Sequence, residues 1–364
     1  MRIGIDARFY GSVGKGLGRY TERLVHELEK IDTENEYFIF LCPENFDEYL
    51  PSNPHFTKVL TKSRWYSAAE QLWYPWQLYA KRLDLVHFPH FNVPVLYRRP
   101  LIVTLHDLIL FHYPTEKATT KKSWWYWVKF HAYRFVLAEA LRRAQTIITV
   151  SDFTKHDIET NYPSVKAKIV VTKEAAEQFC HFVGEASPHA ILRPYILYVG
   201  NAYPHKNLEI FLHIAKQFPV YDFVLVGKED FFYKRLKERV ESKAIQNIVF
   251  TGYVSDRELG RLYRQAQAYV FPSLYEGFGL PPLEAMQYGT PVLASDRGSL
   301  PEILGEAALY FDPLKESELC TQLERITQDT LLRKSLQEKG YAQAATYSWP
   351  RMAEQTLREY KKTF

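Results

Sequence analysis

An alternation that runs twice through the chain constrains its fold more than any other feature. Short apolar runs at residues 2–7, 36–41, 84–88, 101–108, 146–150 and 168–172 are separated by stretches with helical spacing. Leu17, Tyr20, Leu24 and Leu28 show that spacing after the first run. Beyond a turn-rich segment around Gly184 and Pro188 the alternation restarts, with runs at 195–200, 222–227, 248–250, 268–271 and 291–294. Strands alternating with helices build parallel sheets covered on both faces. The expectation is therefore an α/β chain of two doubly wound domains facing a central cleft. A length of 364 residues favours two cores over one. The expected division is 1–180, then 190–346, with 347–364 as a terminal amphipathic helix.

Composition narrows the class. Hydrophobic residues at 46% and charged residues at 24% are ordinary for a soluble globular protein. A net charge of +4 is too mild for a nucleic-acid binder, and suits an anionic small molecule or a membrane surface. Cys42, Cys180 and Cys320 match no zinc or redox spacing and read as buried apolar filler. The first residues read directly as a strand with no signal peptide, and no apolar run approaches the ~18 residues of a membrane span. The expected location is the cytoplasm, with peripheral contact to the inner face of the cell membrane.

The densest chemistry lies in Tyr275-Glu276-Gly277-Phe278-Gly279-Leu280-Pro281-Pro282-Leu283-Glu284. The run before it, ended by Pro272, reads as a buried strand, and Leu283 to Met286 open a helix closed at Gly289. A strand, a glycine-bearing turn and a helix start is where an α/β sheet holds its ligand. Unpaired amides there favour anions, and Gly277 and Gly279 admit a ligand close to the backbone. Glu276 and Glu284 bracket the turn, and a carboxylate can accept from two vicinal hydroxyls of a sugar or ribose. Lys206, in the loop after 195–200, is placed to meet a diphosphate. His106 ends the 101–108 run on the ligand side of a parallel strand, though a lone histidine there is more often structural. His87 and His90 read as crevice lining. Gly11, Gly14, Gly16 and Gly18 crowd the first loop. A Walker loop would need Ser or Thr after Lys15, where Gly16 stands. A dinucleotide fingerprint would need another glycine spacing, with Glu44 as a weak ribose acid. A ligand-facing glycine loop and a flexible turn both remain.

The string from Pro272 to Met286 resembles the signature of retaining glycosyltransferases of family four: Glu276, seven residues, Glu284, with Gly277-Phe278-Gly279-Leu280 after the first. The resemblance implies the GT-B fold of two Rossmann-like domains, a nucleoside-diphosphate-sugar donor and retention of anomeric configuration. It implies that Glu276 contacts donor-sugar hydroxyls, that Glu284 contacts the ribose, and that His106 lies near the donor sugar. Gly16 and Gly18 would face the donor diphosphate and acceptor. In the family an arginine follows the glycine at the position of Gly200, and both it and a lysine hold the pyrophosphate. Here Lys206 matches, but Asn201 replaces the arginine, with His205 a neighbouring substitute. Tyr253 and Val254 fall in a loop resembling the one that contacts the nucleotide base. The terminal segment resembles a helix that returns to the first domain. His106, Glu276 and Lys206 are thus the catalytic candidates. Gly16, Gly18, Gly200, Asn201, Tyr253, Val254, Gly277, Phe278, Gly279, Leu280 and Glu284 are the donor-binding ones. No Asp-x-Asp motif occurs, and the leaving phosphate is expected to depart without a metal or other cofactor. GDP-mannose is the donor that the resemblance favours.

Lys117, Lys121, Lys122, Trp124, Trp125, Trp127 and Lys129 crowd one predicted helix, spanning 117–143. Trp65, Tyr66, Trp73, Tyr74 and Trp76 form a second aromatic cluster in and before another, at 67–81. Rings beside lysines suit a membrane interface, the alternative being a core with a solvated rim. The first reading fits a glycan or lipid-linked acceptor held on the first half beside this patch. Closure of the cleft would hinge near Gly184 and Pro188. Two other functions stay open. One is a nucleotide-sugar epimerase or a phosphorylase on the same architecture, although no pyridoxal-phosphate lysine stands out. The other is an inactive sugar- or lipid-binding partner in a membrane complex, for which Asn201 is the only support.

Overall fold

Parallel strands need long crossovers, and here helices supply most of them. The computed structural model describes residues 1–114, 123–176, 191 and 193–363, without the side chains of Lys15 and of 123–126. Lys117, Lys121, Lys122, Cys180, the expected hinge at Gly184 and Pro188, and the side chains of Trp124 and Trp125 lie outside the described residues. The chain divides into two units, Met1–Glu174 with Ser348–Phe364, and Ala175–Tyr347.

Among the described residues the first unit is built on β1 (Arg2–Asp6), β2 (Glu36–Leu41), β3 (Phe56–Leu60), β4 (Leu85–Phe88), β5 (Leu101–Leu105), β6 (Thr146–Thr149) and β7 (Ile169–Val171). All pair in parallel, in the order β3-β2-β1-β4-β5-β6-β7. β4 and β5 are buried along their whole length, which is why they read as continuous apolar runs. The second unit holds β8 (Tyr195–Val199), β9 (Asp222–Val226), β10 (Ile248–Gly252), β11 (Ala268–Phe271), β12 (Val292–Ser295) and β13 (Ala308–Phe311). Its parallel order is β10-β9-β8-β11-β12-β13, the Rossmann order with the second sheet half laid beside the first strand.

The structure adds to and corrects the sequence reading. β3 and β13 were not expected, and both are edge strands: Thr57 and Lys58 break the apolar signal of β3, and β13 is only four residues long. The helix expected over 67–81 is two helices, Ala68–Leu72 and Tyr74–Ala80, because Pro75 lacks an N–H and starts a new first turn. The described part of the long helix is Ser123–Arg143. Cys42 is buried, but Cys320 is only half-buried on a helix face.

His87 does not line a crevice. It is fully buried, with Nδ1 2.6 Å from the Tyr360 hydroxyl and Nε2 2.8 Å from Thr104 Oγ1. Thr104 in turn meets the Tyr20 hydroxyl at 3.1 Å. Burial, helped by the charge of His106, pushes His87 down to about 3, so it stays neutral. This chain of hydrogen bonds ties the terminal helix Trp349–Lys362 and the first helix Lys15–Ile31 to the middle of the sheet. Tyr360→Phe leaves His87 Nδ1 without its partner and should cost about 1–3 kcal/mol. Tyr360→Ala adds a cavity and should cost about 3–5 kcal/mol. Urea unfolding of the two variants checks the order; full stability in Tyr360→Phe would show that the hydroxyl contributes nothing.

Candidate functional site

In an open parallel sheet the loops diverge at the carboxyl edge wherever the strand order reverses. In the second unit that point lies between β8 and β11, and both loops carry expected site residues. Gly200, Asn201 and Lys206 follow β8, while Tyr275 to Glu284 follow β11. A single 3-10 turn, Pro204–Lys206, brings Lys206 Nζ to 2.5 Å from Glu276 Oε1. The two side chains are 13% and 9% exposed, so the pair is held where water screens it weakly. The Lys206 ammonium also sits 5.1 Å from the centre of the Phe271 ring. Backbone contact joins the two loops, with the Leu274 N–H donating to the His205 carbonyl at 2.7 Å.

Glu276 is fixed from behind. The Ser299 N–H donates to its carbonyl at 3.2 Å, and Ser299 Oγ donates to the Phe278 carbonyl at 2.9 Å. Gly279, at φ 100°, turns the chain into the helix Leu280–Gln287. Pro281 and Pro282 then occupy the second and third helical positions and remove two of the amides that an anion would use. The backbone N–H groups that remain at the start of this helix are those of Phe278, Gly279 and Leu280. Phe278 itself is buried, its ring edge-on to Tyr347 at 5.6 Å, so its side chain belongs to the core. Glu284 is 3% exposed and accepts from the Tyr263 hydroxyl at 3.0 Å. Tyr263 is held by stacking on Tyr288, centroids 5.7 Å apart.

Asn201 supplies no charge where the family has arginine. Its Oδ1 accepts from the Tyr203 N–H at 3.2 Å, and its carbonyl accepts from the Tyr198 hydroxyl at 2.7 Å, so it braces the loop. Burial, then the charge of Lys206, lowers the pKa of His205 to about 4, leaving it neutral near pH 7. In the loop after β10, Val254 is buried and Tyr253 is 80% exposed, a ring open to a planar partner.

The first unit presents the other expected residues. The glycine run is not a free loop: Gly11–Gly14 is a 3-10 turn and Gly16 and Gly18 lie in the helix Lys15–Ile31. A Cβ on Gly18 would fall 2.1 Å from the Gly11 carbonyl oxygen, which gives Gly18 a packing reason of its own. Gly16 has open space on its Cβ side. His106 follows β5, with Nδ1 2.9 Å from Glu174 Oε1, Nε2 3.1 Å from the Pro89 carbonyl, and its ring edge-on to Tyr20. A carbonyl and a carboxylate only accept, so the pattern fits the doubly protonated ring. Burial opposes that charge, but the hydrogen bond and charge of Glu174 outweigh it and raise the pKa above 6.5.

Three residues around the carboxyl edge of the first sheet, Arg8, Glu70 and Glu174, escaped the sequence reading. Arg8 is fully buried and grips Asp6 through two contacts of 2.7 Å, meets Glu70 Oε1 at 2.6 Å and lies over the Tyr74 ring. Glu70 stands three residues after Ser67, a spacing that reads as a helix cap and hides its second partner. Glu174 follows β7 without any motif around it. Among the described residues, no group of three or more His, Cys, Asp or Glu side chains could hold a metal ion, and no helix is long and apolar enough to cross a membrane.

Comparison with known proteins adds independent findings. A model described as Glycosyltransferase Family 4 matches residues 14–173, and one described as Glycosyl transferases group 1 matches 185–343. An O-antigen chain mannosyltransferase B of Escherichia coli is 32% identical, over 95% of this chain and 96% of its own length. O-antigen chain mannosyltransferase RfbU of Salmonella typhimurium is 31% identical over 67% of this chain and 65% of its own. Among solved structures, sucrose-phosphate synthase from Thermosynechococcus elongatus aligns with a TM-score of 0.76 at 20% identity, covering 100% of this chain and 98% of that one. WaaG, a glycosyltransferase involved in lipopolysaccharide biosynthesis, aligns at 0.71 and 14% identity, covering 98% of each chain. These two show a shared GT-B fold.

The His106–Glu174 pair has a pH signature. Because the folded pKa lies above the unfolded 6.5, its stabilisation is complete below pH 6.5 and is lost as pH rises through the folded value. Glu174→Gln should lower the His106 midpoint in an NMR titration, and its stability deficit should shrink as the solution becomes alkaline. A midpoint unchanged by the substitution would refute the pairing.

Proposed function

The chain belongs to glycosyltransferase family 4, and from that membership we propose that it moves a hexosyl group, a mannosyl group by its likeness to the O-antigen mannosyltransferases, from a nucleoside-diphosphate sugar to a glycan or lipid-linked acceptor in polysaccharide assembly. The observation that carries this reading is the close contact of Lys206 with Glu276 where the β8 and β11 loops diverge. One cation and one carboxylate at that point match a donor with a diphosphate beside a polyhydroxylated ring. GDP-mannose is the favoured donor.

In this reading Glu276 accepts hydroxyls of the donor sugar and Lys206 meets the diphosphate. Gly200, Asn201 and the amides from Gly277 to Leu280 line its path, Glu284 accepts from the ribose, and Tyr253 and Val254 border the base. Gly16, Gly18 and His106 of the first unit take the donor- and acceptor-facing roles that family membership implies. As the bond from the anomeric carbon to the diphosphate oxygen breaks, positive character grows on the sugar and negative charge on the leaving phosphate. Lys206 and the backbone amides stabilise that charge with no metal. The acceptor hydroxyl attacks from the face that the diphosphate leaves, so configuration is retained, and its proton passes to the departing phosphate. Trp127, 45% exposed, would rest on the membrane surface that carries the acceptor.

Glu276→Ala and Lys206→Ala should each lower kcat by about 10²–10³ or more with circular dichroism unchanged. Full activity in both would sink the assignment. NMR of the first-formed product should show the donor's anomeric configuration, and addition of EDTA should leave the rate unaltered.

A further inference from the structure

The first unit contains a cavity of about 570 Å³, within the ~300–1,000 Å³ range of small-molecule sites. Phe91, Leu110, Phe130, Tyr133 and Val136 give it mainly apolar walls. Its polar lining is largely committed elsewhere. Glu70 has Oε1 on Arg8 and Oε2 on the Tyr66 N–H, Ser67 Oγ donates to the Arg64 carbonyl, and Gln71 Oε1 accepts from the Val95 N–H. A sugar, which needs a hydrogen-bond partner at most of its oxygens, finds few here. A hydrocarbon chain needs none. Besides the Tyr66 and Tyr133 hydroxyls, the lining offers a polar end two groups: Asn92 is 3% exposed with Nδ2 lacking any hydrogen-bond partner, and Lys129 is an exposed cation on the wall.

Position ties the cavity to substrate rather than to bulk lipid. The order of strands in this unit reverses between β1 and β4. Arg8 from the end of β1 anchors Glu70, while Phe91 and Asn92 follow β4 and Leu110 follows β5. The cavity thus opens among the carboxyl-edge loops, where this fold receives its ligands. We propose that it binds the hydrocarbon chain of an amphiphilic acceptor, with an anionic phosphate at its polar end near Lys129. The proposal rests on the glycosyl-transfer reading for calling that amphiphile an acceptor.

Titration calorimetry of the full chain with hexyl, octyl and decyl phosphate, each below its micelle concentration, tests this. Affinity should rise about fourfold per methylene, the ~0.8 kcal/mol of one buried CH₂ at 25 °C. Val136→Trp and Ala132→Trp fill the cavity from different turns, and at least one folded variant should lose tenfold or more in decyl phosphate affinity. Both should still transfer sugar to a short, chain-free glycoside. Affinity independent of chain length, or unchanged in both folded variants, overturns the proposal. So does binding to anionic phospholipid vesicles with none to the monomeric alkyl phosphates. Chain binding retained in a protein that transfers from no nucleotide sugar would instead remove the acceptor role.

Discussion

The hand of the parallel crossovers is the constraint on which everything else depends. A strand, a helix and the next parallel strand join in a right-handed sense, so a sheet that grows outward from its first strand in both directions reverses order there. β1 and β4 flank that reversal in one unit, β8 and β11 in the other. The loops leaving these strands cannot cover each other, and a gap opens at the carboxyl edge. Lys206 and Glu276 sit 70 residues apart in sequence and meet across such a gap. No local motif brings them together; the order of the strands does.

Charge at these edges is arranged in two ways. In the first unit Arg8, Asp6 and Glu70 form a closed set, desolvated and mutually satisfied. Such a set contributes little net stability but is costly to break, so it fixes the β1 loop against the helix Ala68–Leu72. In the second unit Lys206 and Glu276 keep some contact with solvent. A ligand that offers phosphate to one and hydroxyls to the other exchanges partners without leaving either charge bare. The first cluster is scaffolding, and the second is the one that the proposed function uses.

Strands buried on both faces announced themselves as apolar runs, so the inner strands of both sheets were legible from composition and spacing alone. β3 was not, since Thr57 and Lys58 interrupt it and its outer edge is open; β13 is apolar throughout but only four residues long, and so short a run reads equally well as a turn of helix. At the site, Glu276, Glu284 and Lys206 were visible because a loop motif surrounds them. Arg8, Glu70 and Glu174 were not, because each acquires meaning only from a partner many residues away. His87 shows the reverse error: it reads as crevice lining, while the register of β4 between β1 and β5 places it in the core.

The two prolines that open the helix Leu280–Gln287 have an entropic side as well. A proline at a position whose φ it already fits lowers the freedom of the unfolded chain, by about 0.4–1 kcal/mol for each such residue. Two in succession beside the glutamate loop leave that turn little to lose when a ligand arrives. Binding there need not order a floppy segment first, and that saving appears as affinity. The helix start has fewer donors to offer an anion, but those it keeps sit on a turn that the prolines already restrain.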